Sequence, residues 1–249
     1  MTSTRTANMA LTFSDEQAMI LESAKSFCRD RSNISAVRSL LTSENGYSAE
    51  IWSEMVALGW TGIAMPEQYG GLELGIGATI PLVESMGRHL LSTPYISTTI
   101  ASQALQRGGS EEQKAKWLPR MVDGSVGTLA LLDNEDWGAT KTSCTLSADF
   151  ELQGSKLLVN DAAVADMFIV WADYNDAQVL VLVEAAALPD NALSKKVLID
   201  ETKRASNVCF NGVKLSAEAI LPNSEAALRD SRLIGALLTA AEATGSSAA

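Results

Sequence analysis

The feature that most constrains this chain is a change of hydrophobic period near its middle. Up to about residue 122 apolar side chains recur every three or four positions, the spacing of a helix face; beyond Asp123-Gly124 they gather in short runs between turn signals. After Asn223 the helical spacing returns. Residues that bury one stripe of a helix cannot serve as a strand of alternating faces. The expected class is therefore α+β: an N-terminal helical domain over 1–122, a middle β-barrel or sandwich domain over 123–222, and a first helix of a C-terminal helical bundle over 223–249.

In the first block, Ser14 followed by Gln17 predicts a capping box, with Phe13 and Ala18 placed as a hydrophobic staple and a helix continuing to Arg31. Ile51, Trp52, Met55 and Val56 predict a helix over 48–58, stopped by Gly59. Pro66 and Gly70-Gly71 mark a loop, and further helices are expected over 76–90, over 97–107 and from Glu111 onward. In the second block, strands are expected over 128–132, 156–159, 167–172, 179–183, 197–199 and 207–210. On the last helix Leu233, Leu237, Ala241 and Thr244 share one face, with Ile234 and Leu238 beside it.

Composition excludes several function classes. With 47% hydrophobic residues the chain can bury a core, and a net charge of -11 disfavours nucleic acid or an anionic lipid surface as partner. One histidine, His89, and three scattered cysteines give no metal-ligand spacing, so no metal site is expected. Cys28, Cys144 and Cys209 read as small core hydrophobes. There is no secretory leader in 1–10 and no apolar run of membrane-spanning length, which points to a cytoplasmic protein.

Ordered motifs carry a resemblance. Leu11-Thr12-Phe13-Ser14-Asp15-Glu16-Gln17, then Leu58-Gly59-Trp60 with Pro66-Glu67-Gln68-Tyr69-Gly70-Gly71, then Gly109-Ser110-Glu111-Glu112-Gln113-Lys114 with Trp117-Leu118-Pro119 resemble the helical half of acyl-CoA dehydrogenases. Leu152-Gln153-Gly154-Ser155-Lys156, Val164-Ala165-Asp166 and Phe210-Asn211-Gly212-Val213 are similar to segments of that family's β-domain.

The resemblance implies a flavoprotein oxidoreductase that binds FAD, takes an acyl-CoA substrate and removes hydrogen across its α,β bond. It also implies fatty-acid β-oxidation as the setting, and a homo- or hetero-oligomer of dehydrogenase-like subunits. Leu131, Leu132 and Asp133 match the family's first flavin segment, but its Gly-Ser-Asp part has no counterpart here. Leu158 and Asn160 match the second, where the family carries a tryptophan at the Leu158 position. On pattern alone Leu132 and Leu158 read as ordinary strand core ahead of flavin contacts. Asp133, Glu135 and Asp136 would bring negative charge toward the cofactor's diphosphate. Trp137 reads either as a displaced stacking residue or as an exposed loop tryptophan.

No catalytic base is assigned. The last helix offers Glu225, Asp230 and Glu242, with Glu242 read as a solvated charge. The expectation is a chain that stops before the family's catalytic glutamate and does not catalyse alone. A non-catalytic partner subunit of a heteromeric dehydrogenase is the other reading.

Overall fold

The computed structural model describes residues 14–249. The Leu11-Thr12-Phe13 part of the opening motif and the Phe13 staple lie outside them. Among the described residues six α-helices come first: α1 (Asp15–Arg31), α2 (Ile34–Leu41), α3 (Ala49–Ala57), α4 (Ile80–His89), α5 (Tyr95–Gly108) and α6 (Glu111–Val122). The Ser14–Gln17 capping box forms as the sequence dictates, and Ser110 with Gln113 builds a second one at α6. Gly59 takes the left-handed conformation (φ 73°) that ends α3.

The helical half departs from expectation at two places. Helix α2, one short amphipathic stretch capped by Asn33, has too few turns for its period to stand out in the sequence. The stretch expected as a single helix over 76–90 is a 3₁₀ turn, Ile76–Thr79, followed by α4, with Pro81 in the first turn where it forfeits no intrahelical bond.

Nine strands follow: β1 (Gly127–Ala130), β2 (Thr145–Leu146), β3 (Glu151–Gln153), β4 (Ser155–Asn160), β5 (Met167–Tyr174), β6 (Ala177–Glu184), β7 (Leu193–Lys196), β8 (Ala205–Cys209) and β9 (Val213–Lys214). One sheet runs β1-β5-β2-β3-β9, with β6 also paired to β5; the other is β4-β8-β7. Strand β5, buried along Met167–Ala172, is the spine of the first sheet. The expected strand at 197–199 does not form. Val197 and Ile199 are fully exposed, and the strand lies just before them at Leu193–Lys196, where the backbone pairs with β8.

The chain closes with α7 (Ser224–Ser247) lying against α4 and α5. Its buried stripe is Ala227, Ser231, Ile234, Leu238, Ala241 and Gly245. Of the residues that share a face in the sequence, Ala241 is buried, while Leu233 and Leu237 are 65% and 43% exposed. The stripe with small residues won because α4 and α7 meet backbone to backbone. A Cβ on Gly87 would overlap the Glu242 carbonyl, and one on Gly245 the Glu84 carbonyl. Among the described residues no helix is long and apolar enough to cross a membrane.

Candidate functional site

The residues expected to face a cofactor lie along β4 and on the loop after β1. Gly154, between β3 and β4, sits at φ 128°, where a side chain would collide with Cys144, and its N–H donates to Asn211 Oδ1 at 2.6 Å. Two residues on, Lys156 turns inward and is fully buried. Its ammonium pairs with Asp133 and donates to Thr142 Oγ1 at 2.7 Å and to the Leu131 carbonyl at 3.3 Å. The other Asp133 oxygen accepts from Ser143 N–H at 2.6 Å. Burial pushes the Asp133 carboxyl up, but these bonds outweigh it and hold the group below the usual carboxylate range.

Asp133 therefore does not present its charge outward, contrary to the expectation from sequence. Lys156 cancels it inside the β-domain, and only Glu135 and Asp136 of the acidic loop stand in solvent. The loop is also held from α7: Arg232 donates to the Ala139 carbonyl at 3.2 Å and sits 5.0 Å from the Trp171 ring centre. Trp137 projects from it, 76% exposed.

Leu131 and Leu132 are half-buried just past the end of β1, and the Leu132 carbonyl accepts from Leu157 N–H at 2.6 Å, which ties this loop to β4. Leu158 is not strand core. The β4–β8 register shifts between Lys156 and Val159, so two residues of β4 face one of β8. In that bulge Leu158 takes φ 49°, and its N–H bonds Asn207 Oδ1 at 3.2 Å. The leucine is turned outward, 36% exposed. Asn160 is exposed too, with its carbonyl pinned by the Thr128 hydroxyl at 2.7 Å. The structure thus sets Leu158 and Asn160 on one strand end and joins Leu131–Asp133 to that strand by hydrogen bonds.

Asn160 also lines a cavity of about 290 Å³ between the α4–α5 loop, the end of β4, the 200–204 loop and α7. Asp161 stands at its base with φ 53° and accepts a 2.6 Å bond from Ser97. Burial pushes this carboxyl up to about 6, against partial relief from Ser97 and Lys203. Glu242, read from sequence as a solvated charge, is instead ion-paired with Lys203 across the cavity mouth. Of the other acidic residues of α7, Glu225 is exposed and Asp230 pairs with Arg107 and Arg229.

Sequence reasoning missed Ser97, Asp161, Lys203 and Arg204. The one available signal was Asn160-Asp161 at a strand end, a pair that readily adopts left-handed turn geometry.

Among the described residues no group of His, Cys, Asp and Glu could hold a metal. Cys28 and Cys144 offer no activated nucleophile: burial pushes Cys28 up to about 12 and Cys144 up to about 11. Cys209 is half-buried rather than core.

Comparison with known proteins gives one consistent result. Residues 14–125 match the acyl-CoA dehydrogenase N-terminal domain. The chain is 28% identical over 68% of its length to an NADH-dependent acryloyl-CoA reductase of Anaerotignum propionicum, and 26% identical over 65% to the mitochondrial short/branched chain specific acyl-CoA dehydrogenase of Rattus norvegicus. It spans 44% and 39% of those two proteins. A solved structure described as the Tcur3481-Tcur3483 steroid ACAD superposes with a TM-score of 0.80 at 30% identity, over 91% of this chain and 62% of that one.

Proposed function

Since the chain belongs to the acyl-CoA dehydrogenase family, we propose that it works in the α,β-dehydrogenation of an acyl-CoA thioester within an FAD-dependent assembly. Leu131, Leu132, Leu158 and Asn160 form its flavin-facing edge, and Asp133 lies behind that edge, held by Lys156. The observation that carries this reading is the β4 bulge. It turns Leu158 outward beside Asn160, while Lys156 neutralises the carboxylate that would otherwise repel an anionic cofactor.

Those residues fit the group. A flat, largely apolar ring packs on Leu158, and the Asn160 amide can donate to a polar ring edge. Glu135 and Asp136, exposed on the loop, disfavour the diphosphate on that side and favour its entry from elsewhere. Bound FAD would supply the hydride acceptor of the reaction. What this chain contributes is an oriented surface for the flavin and a cavity lined by Asn160 beside it. The carboxylates on α7 are solvated or ion-paired, which supports a chain that does not act alone as the base.

The test is FAD binding by the purified full chain, followed by flavin absorbance and fluorescence quenching. Saturable binding is expected, weakened at least about tenfold by Leu158→Glu with no change in melting temperature, since Leu158 is exposed. A folded chain that stays colourless in excess FAD, alone and mixed with a dehydrogenase-like partner, would sink the proposal.

A second reading, a non-catalytic subunit of a heteromeric dehydrogenase, is favoured by the outward Leu233 and Leu237 of α7. It is also favoured by the paired name of the 30%-identical structure. Under that reading FAD binds only after the partner is added.

A further inference from the structure

We propose that the cavity beneath Asn160 receives a hydroxyl group of the substrate, so that the favoured acyl chain carries a hydroxyl rather than ending in plain hydrocarbon. This rests on the acyl-CoA reading above and names the substrate class. The cavity is built from polar groups. Ser97 and Asp161 bond each other at its base, Lys203 and Glu242 pair at its mouth, and Asp200 stands beside them. Thr93 also lines it, and its hydroxyl is buried without a hydrogen-bond partner. A methyl-ended chain pressed into this space would strip water from the Asp161 carboxyl and return no hydrogen bond.

The charges narrow the choice. A carboxylate on the ligand would meet three carboxylates, Asp161, Asp200 and Glu242, against the two cations Lys203 and Arg204; Arg204 already donates to five backbone carbonyls through Nη1 and Nη2 and has only its buried Nε–H left to offer. An ammonium would compete with Lys203, which already supplies the local positive charge to Glu242 and Asp161. A neutral donor satisfies Asp161 without displacing either pair, and a hydroxyl is the simplest such group on an acyl chain. The cavity volume of about 290 Å³ leaves room for it with several carbons.

Titration calorimetry of the full chain with omega-hydroxyhexanoyl-CoA and hexanoyl-CoA tests this. The hydroxylated thioester is expected to bind at least about tenfold tighter, because a site built to hydrogen-bond a hydroxyl rejects the analogue lacking it. The preference should fall below about threefold in Asp161→Ala. Thr239→Leu fills the cavity from α7 with Asp161 left in place, and it serves where Asp161→Ala does not fold. Equal or tighter binding of hexanoyl-CoA overturns the inference, as does a preference that survives both variants. If neither thioester binds, the acyl-CoA reading fails and saturation-transfer NMR with a terminal butanediol decides the cavity alone. Transfer abolished by Thr239→Leu upholds the hydroxyl site; transfer that is absent, or that persists in the variant, overturns it.

Discussion

Single residues in this protein act through partners far along the chain. Lys156 is buried only because Asp133, Thr142 and the Leu131 carbonyl receive its ammonium. Replacing it with methionine leaves Asp133 as an uncompensated carboxylate, 6% exposed, and should cost about 3–5 kcal/mol in urea unfolding. Adding Asp133→Leu should restore much of that loss, since an apolar pair of similar volume replaces the ion pair. Asp161 behaves in the opposite sense. Its carboxyl is raised from 3.8 to about 6 by burial, so the native state holds the proton more tightly than the unfolded chain. The resulting stability is full below about pH 3.8 and is lost as pH rises through about 6. Asp161→Asn keeps the acceptor for Ser97 and tolerates the left-handed backbone. It should therefore gain on the native chain by up to about 3 kcal/mol between pH 3.5 and pH 7. Unfolding curves at the two pH values check this; a constant difference would remove Asp161 as the titrating group.

At the scale of elements, caps and glycines decide where helices stop and how closely they pack. The Ser14 box was legible because every participant lies within four residues, and the Ser110 box repeats the same local pattern. The contact of α4 with α7 was not legible, because Gly87 and Gly245 are 158 positions apart and each matters only against the other helix's carbonyls. Gly87→Ala puts a methyl into the Glu242 carbonyl and should destabilise by about 1–3 kcal/mol, although alanine is the better helix former. Thermal or urea melts of that single variant measure the balance; a stabilised protein would mean the helices can part at no cost. The β4 bulge is a second case. Periodicity alone allowed Leu158 to be core or surface, and a one-residue irregularity against β8 put it on the surface.

Across the whole molecule, Arg204 fastens the β-domain to the helical one. Its guanidinium donates to the carbonyls of Leu40, Leu41 and Ser43 at 2.9, 2.9 and 3.0 Å, satisfying acceptors that the end of α2 leaves open. Gly46 is held at φ 74° against the same side chain, where a Cβ would strike it. Arg204→Met should cost about 1.5–3 kcal/mol and speed hydrogen exchange in α2 ahead of β5 and β6. Uniform exchange would show that the tether carries no local stability. By itself the sequence determined the α-then-β-then-α order, the positions of most helices and strands, the Ser14 capping box and the family likeness. Each of these is written in neighbours a few residues apart, where backbone geometry fixes which side chains share a face. Only the tertiary structure decided that Asp133 is neutralised, that Leu158 faces out, that Glu242 is paired, and that α7 buries Ile234 and Leu238 rather than Leu233 and Leu237. Period tells which residues lie together on a surface. Whether that surface is covered, and which charge meets which, depends on segments 23 to 164 residues away that only folding brings within reach.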